Sequence, residues 1–161
     1  MNTPTLTIKN YKSCRGKEGD AFSCTLYVDG KKAAFVEYDG WGGMYMVDWS
    51  PSGSRWASPA EKRVSAWVKT LPPIECAWMD EATGKPAMIT PNLDMVIEDT
   101  ITTAEETKKV KRWCKTKTVV KPTDAPTGEY VTWNSLPCAA LRLYIAKTYP
   151  GAEIINDRFA T

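Results

Sequence analysis

Phe22-Ser23-Cys24-Thr25-Leu26-Tyr27-Val28, then Asp29-Gly30, then Ala33-Ala34-Phe35-Val36-Glu37-Tyr38, is the stretch whose reading decides the fold. Two runs rich in β-branched and aromatic residues flank an Asp-Gly pair, the residues that accept positive φ in a tight hairpin turn. Upstream, Leu6-Thr7-Ile8-Lys9-Asn10-Tyr11 alternates apolar and polar residues as a half-buried strand does, and a polar, glycine-containing loop at 15–20 closes it. Downstream, Asp39-Gly40-Trp41-Gly42-Gly43 passes into Met44-Tyr45-Met46-Val47-Asp48-Trp49. Residues 1–50 therefore predict an antiparallel meander of about four strands, and one face of it needs a cover.

Helices supply the cover. Ser58-Pro59-Ala60-Glu61 offers an N-cap hydroxyl, a proline at the first helical position and a capping-box glutamate, and Val64, Trp67, Val68 and Leu71 then share a face until Pro72-Pro73. Residues 74–91, with Gly84-Lys85-Pro86 and no sustained period, read as a connection with at most a short extended piece. Leu93, Val96, Ile97 and Ile101 recur at helical spacing. Thr103-Ala104-Glu105-Glu106 then offers a second capping box ahead of Val110, Trp113 and Cys114, so two helices with a break near Thr102 are expected. Thr118-Val119-Val120 and Tyr130-Val131-Thr132-Trp133 predict a strand pair. A last helix follows, starting near Ser135 with Pro137 in its first turn and burying Leu141, Tyr144 and Ile145, and Glu153-Ile154-Ile155-Asn156 predicts a closing strand. The fold class is α+β, and the absence of repeats or long linkers predicts one domain over 1–161, with 72–91 the only candidate boundary.

The chain has 161 residues, 43% apolar and 25% charged, and a domain of that length buries roughly 70% of its unfolded surface without staples. The 21 basic and 19 acidic side chains leave +2, which gives no broad field for a nucleic-acid backbone or an anionic membrane. Five cysteines without a CxxC pair, and an N-terminus without a basic-then-apolar signal segment, predict a reducing cytoplasm with cysteines as small buried hydrophobes. Cys14 and Cys24 fall on neighbouring predicted strands. No apolar run approaches the roughly 18 residues that span a bilayer, which excludes a helical membrane span.

The chain contains no histidine, which removes Ser-His-Asp and Cys-His nucleophile activation and His-ligated zinc. Carboxylate chemistry remains open through Asp39, Asp48, Asp80, Glu81, Asp94, Glu98 and Asp99, although the five-residue offset of Asp94 and Asp99 splays that pair around a helix and weakens a metal-dependent hydrolase reading. No P-loop and no GxGxxG is present, and no cofactor is expected. The three glycines of Asp39-Gly40-Trp41-Gly42-Gly43 permit positive φ, which can turn successive amides into an anion nest beside Trp41. A hairpin turn that needs glycine for its geometry is the preferred reading of the same residues. Seven tryptophans and seven tyrosines are a large aromatic stock. Trp67 and Trp113 are expected in the core, whereas Trp41, Trp56 and Trp78 fall in predicted loops, where wide amphipathic rings suit recognition, with Arg55 as an adjacent charge for a phosphate or carboxylate. Lys108, Lys109, Lys111, Arg112, Lys115 and Lys117 form a basic ridge, read first as a solvated helix face and otherwise as a nucleic-acid surface.

Asp29-Gly30-Lys31-Lys32, the glycine loop 39–43, and the segment from Cys114-Lys115-Thr116-Lys117-Thr118 to Tyr149-Pro150-Gly151-Ala152-Glu153-Ile154-Ile155-Asn156 together resemble a family of small proteins from tailed phages and prophages. Residues 50–102 lie outside the resemblance. It implies a mobile-element accessory protein in a bacterial cytoplasm, a class that includes inhibitors of host defence, and it carries over no catalytic residue. The expectation is a non-enzymatic binding protein that occludes a host protein or sequesters a nucleotide-like small molecule through Asp39, Gly40, Trp41, Gly42, Gly43, Arg55 and Trp56. Nucleic-acid binding and carboxylate-based hydrolysis are the alternatives, and self-association is a further possible use of the loop aromatics.

Overall fold

Asp29 and Gly30 both adopt positive φ (51° and 76°), the geometry of a type I′ turn, and they join β2 (Asp20–Val28) to β3 (Lys31–Tyr38). With β1 (Leu6–Arg15) and β4 (Met46–Trp49) they form the antiparallel sheet β1-β2-β3-β4 in the computed structural model, which describes residues 3–17, 19–49, 58–79, 81 and 83–160. The register pairs Cys24 with Val36, Leu26 with Ala34 and Val36 with Val47, so one sheet face carries the apolar set. Asp29 adds more than a turn: it accepts the Thr5 amide at 3.0 Å and pairs with Arg63 on α1 (Pro59–Val68).

Helix α1 begins as expected. The Ser58 hydroxyl accepts the Glu61 amide at 3.1 Å and the Glu61 carboxylate accepts the Ser58 amide at 3.2 Å. Val64 and Val68 pack on Val28 and Ala33, while Ile97 and Ile101 of α2 (Leu93–Trp113) pack on Cys24, Leu26, Ala34 and Val36. The meander is thus covered on its apolar face.

Two expectations for the middle of the chain are corrected. Where a connection with a short extended piece was expected, residues 74–79 and 86–89 form an antiparallel pair of strands, β5 (Ile74–Met79) and β6 (Pro86–Ile89). Its side chains alternate weakly in burial, and Ile74, Trp78, Met79 and Met88 stay exposed, so the apolar/polar period that marks a half-buried strand is missing. Trp78 lies in a strand as a result. Helix α2 is continuous, with Asn92 accepting the Met95 amide at 2.9 Å as its N-terminal cap. The break near Thr102 is absent because Glu106 accepts the Tyr130 hydroxyl instead of folding back to cap Thr103.

The fold divides into two compact units, Met1–Thr102 and Thr103–Thr161, and the division passes within α2. In the second unit, β7 (Thr118–Lys121) lies between β8 (Val131–Trp133) and β9 (Glu153–Ile154). Its core joins Val110, Val119 and Ile155 to Trp113, Tyr130 and Phe159. Helix α3 (Ala139–Thr148) starts later than expected, with Cys138 as N-cap, so Pro137 precedes the helix. Of its three expected buried residues only Ile145 is buried, and Tyr144 is 53% exposed with its ring edge on Trp133. The closing strand ends at Ile154, where a 3₁₀ turn (Ile155–Phe159) takes over.

The cysteines do not pair, and the expectation that they are small buried hydrophobes holds for Cys24 alone: Cys14 and Cys138 are exposed, and Cys76 and Cys114 lie between. Burial pushes the Cys24 thiol up to about 11. A disulfide-exchange reagent at pH 8 is expected to label Cys14 and Cys138 rapidly and Cys24 only on unfolding. Cys24→Ser should therefore leave the fast amplitude unchanged, and a fast phase that disappears in that variant would contradict the packing. No helix of the described residues is long and apolar enough to cross a membrane.

Candidate functional site

The glycine loop is held by its own side chains. Asp39 Oδ1 accepts the Trp41 amide and the Tyr38 hydroxyl accepts the Gly42 amide, each at 3.0 Å. Two amides available to an anion nest are therefore taken. Gly40 (φ +74°) is buried against the β1–β2 turn, where a Cβ would meet Ala21 N, Gly16 Cα and Gly19 O at 3.0 Å, so glycine is required here for close backbone approach. Trp41 is 58% exposed and carries the Lys17 ammonium over one face, 4.6 Å from the ring centre. Arg55 and Trp56, the other two residues of the expected surface, lie outside the described residues.

Next to this loop the sheet opens into a cavity of about 490 Å³. Each strand of the sheet, or the approach to it, brings one ring to it. Phe22 and Tyr38 are cross-strand partners on β2 and β3, Tyr45 precedes β4, and Tyr11 comes from β1. Tyr11 arrives by way of a bulge: the β1–β2 register shifts between Lys9 and Lys12, and Asn10 takes φ 56°. The extra residue moves Tyr11 onto the face already used by Leu6 and Ile8. Phe22 lies 5.0 Å from Tyr45 edge to face, and Tyr38 lies 5.3 Å from Tyr45 in a tilted arrangement. All four rings are half-buried, so each keeps surface towards the cavity.

Helix α2 closes the opposite wall with Asp94, Met95 and Glu98, and Asp20 stands at the start of β2. Asp94 and Glu98 are four apart and share a helix face, and Asp94 accepts the Tyr45 amide at 3.1 Å. Among the described residues, neither these carboxylates nor Asp20 has an ion-pair partner, and no lysine or arginine lines the cavity.

The Tyr45 phenol is pushed up to about 12, by burial first and then by Glu98 and Asp94. Tyr130 is raised to about 12 as well, by burial and by its hydrogen bond to Glu106. Such a phenol is protonated in both states below about pH 10. Between there and pH 12 the unfolded chain ionises first, so the stability the group contributes is complete below pH 10 and lost as pH rises. In an absorbance titration at 295 nm, Tyr45→Phe is expected to remove one of two phenolates forming near pH 12. An undiminished late step would place Tyr45 outside this environment.

The basic ridge occupies the end of α2 and the turn beyond it. Lys108, Lys111 and Arg112 share one exposed helix face by their spacing, and Lys115 continues beyond it. Glu105 pairs with Lys108 at 3.4 Å, and Lys109 lies 4.8 Å over the Trp113 ring. Lys117 is only partly exposed. Among the described residues no group of three carboxylate or cysteine side chains comes together to hold a metal ion. Sequence reasoning singled out Asp94 and Glu98 but not the rings they face. Phe22, Tyr38 and Tyr45 stand near strand ends, but Tyr11 lies in the middle of β1 and reaches the cavity through the Asn10 bulge, which no local pattern announces.

Fold and site together define an α+β protein with an aromatic, acid-lined cavity at the end of a meander sheet. Set against protein-family models, curated proteins and solved structures, the chain matches none of them.

Proposed function

We propose that the chain is a non-enzymatic binding protein, an accessory factor of a phage or prophage, that sequesters a small molecule in the cavity of residues 3–102. The observation that carries this reading is the convergence of four half-buried rings on about 490 Å³, a volume within the range of small-molecule sites. Rings that line an open cavity can take a flat or diffuse ligand without rearranging the sheet. Loop 39–43 is the lip of the cavity, since Tyr38 and Gly43 line it, and the loop positions Tyr38 through the Gly42 amide. Sequestration of this kind suits interference with a host signal as well as storage.

Native mass spectrometry of protein purified from a bacterial lysate, repeated after denaturation, tests the reading. The expected result is a bound small molecule released on unfolding and absent from Tyr38→Leu. Retention of the same molecule by that variant would place it elsewhere. A second reading, nucleic-acid binding, is supported by the one-sided exposure of Lys108, Lys111, Arg112 and Lys115. With about four phosphate contacts, log affinity for duplex DNA should fall with log salt with a slope near roughly −3.6. A flat salt response or absent binding removes it.

A further inference from the structure

We infer that the cavity of residues 3–102 takes a free organic cation of the quaternary-ammonium class, held by the faces of Tyr11, Phe22, Tyr38 and Tyr45 and by the Asp94 and Glu98 carboxylates. The inference rests on the small-molecule reading and names its ligand. Aromatic faces carry the negative end of the ring quadrupole, and four rings line this cavity without a basic side chain in the described lining. Asp94 spends one oxygen on the Tyr45 amide at 3.1 Å and keeps the other, and Glu98 is exposed one helical turn on.

An anion in this place would meet three carboxylates, Asp20 included, with no basic partner in the described lining, so a phosphate-bearing ligand could enter only with its charge kept outside. Compact ammonium ions hold their water strongly and need several hydrogen-bond acceptors to leave it. A trimethylated nitrogen has spread charge, no N–H groups to satisfy, and methyl surface that gains from contact with rings. The cavity sets four rings beside its carboxylates, and of the two kinds of cation only the second gains from the rings through its methyl surface as well as its charge.

Calorimetric titration of the full chain with choline, and with its uncharged isostere 3,3-dimethylbutan-1-ol, separates charge from shape. Choline is expected to bind about tenfold or more tightly than the alcohol. Asp94→Asn combined with Glu98→Gln should weaken choline binding by about tenfold and leave the alcohol unchanged, since the asparagine still accepts the Tyr45 amide. Equal affinities for the two probes, or no choline binding at millimolar concentration, overturns the inference. If choline fails while guanosine monophosphate or a co-purified uncharged molecule binds, the small-molecule reading stands and only the ligand class falls; if nothing binds, both fall. A phosphatidylcholine vesicle offers the same trimethylammonium group. Choline binding without vesicle binding supports the free cation, and vesicle binding in its place transfers the chemistry to a lipid headgroup and overturns the free-cation assignment.

Discussion

Asn156→Ala is expected to lower the stability of the second unit by about 3 kcal/mol, the cost of leaving one buried and two half-buried backbone groups without partners. The Asn156 side chain completes a ladder that the backbone abandons. Strand β9 pairs Glu153 and Ile154 with Lys121 and Val120, and the chain then turns into the 3₁₀ segment, leaving the Val119 amide facing no strand on that side. Asn156 Oδ1 accepts this amide at 2.8 Å, and Nδ2 donates to the Lys117 carbonyl at 2.8 Å and the Cys114 carbonyl at 3.1 Å. Val119 is fully buried, so water does not easily replace the lost acceptor. Urea unfolding followed by tryptophan emission measures the change. Asn156→Asp is a stricter comparison: it keeps an acceptor for Val119 but turns a carboxylate on two carbonyls, so it should be no milder than alanine. A loss below about 1 kcal/mol in both variants would mean that the three bonds contribute little beyond what water supplies.

Gly40→Ala is expected to destabilise the first unit by about 2–4 kcal/mol, from a left-handed backbone with a Cβ and from overpacking against main chain. The three nearest atoms, at 3.0 Å, all belong to backbone and cannot swing away. Gly30→Ala is the control, because Gly30 has nearly the same φ, +76°, but open space around its Cβ position, so only the conformational cost of about 1–2 kcal/mol applies. The difference between the two variants isolates the contact between loop 39–43 and the β1–β2 turn. Equal costs would show that this contact is not made in solution. Because Tyr38 and Gly43 flank Gly40 and line the cavity, Gly40→Ala should also weaken any ligand held there, whereas Gly30→Ala should not.

The parts of the fold legible in the sequence are those in which a local rule and the tertiary structure agree. Asp29-Gly30 forms the turn its residues favour, and Ser58 with Glu61 forms the capping box their spacing announces. The misread parts are those in which tertiary contacts overrode a local signal. Thr103 and Glu106 have capping-box spacing, yet Glu106 is recruited by Tyr130, distant in sequence, and the helix runs on. The ribbon β5–β6 lacks alternation because few of its side chains are buried. Cavity residues come from β1, β2, β3, the approach to β4 and α2, and only the register and the Asn10 bulge bring them together; no sequence window contains that information. Loop 39–43 was legible as a turn, and its place at the cavity lip was not.

Strand order in the second unit bears on how the chain folds as it is synthesised. The central strand β7 needs β8 on one side and β9 on the other, and β7 ends at Lys121 whereas β9 starts only at Glu153. The first unit has all its strands and both its helical covers once Thr102 has left the ribosome. The second holds Val119 and Val120 without their final partners until Ile154 and Asn156 have been made. During that interval the nascent protein carries one finished half and one half whose most apolar strand has an open edge, and the wait between β7 and β9 is when association with other chains is the greatest risk.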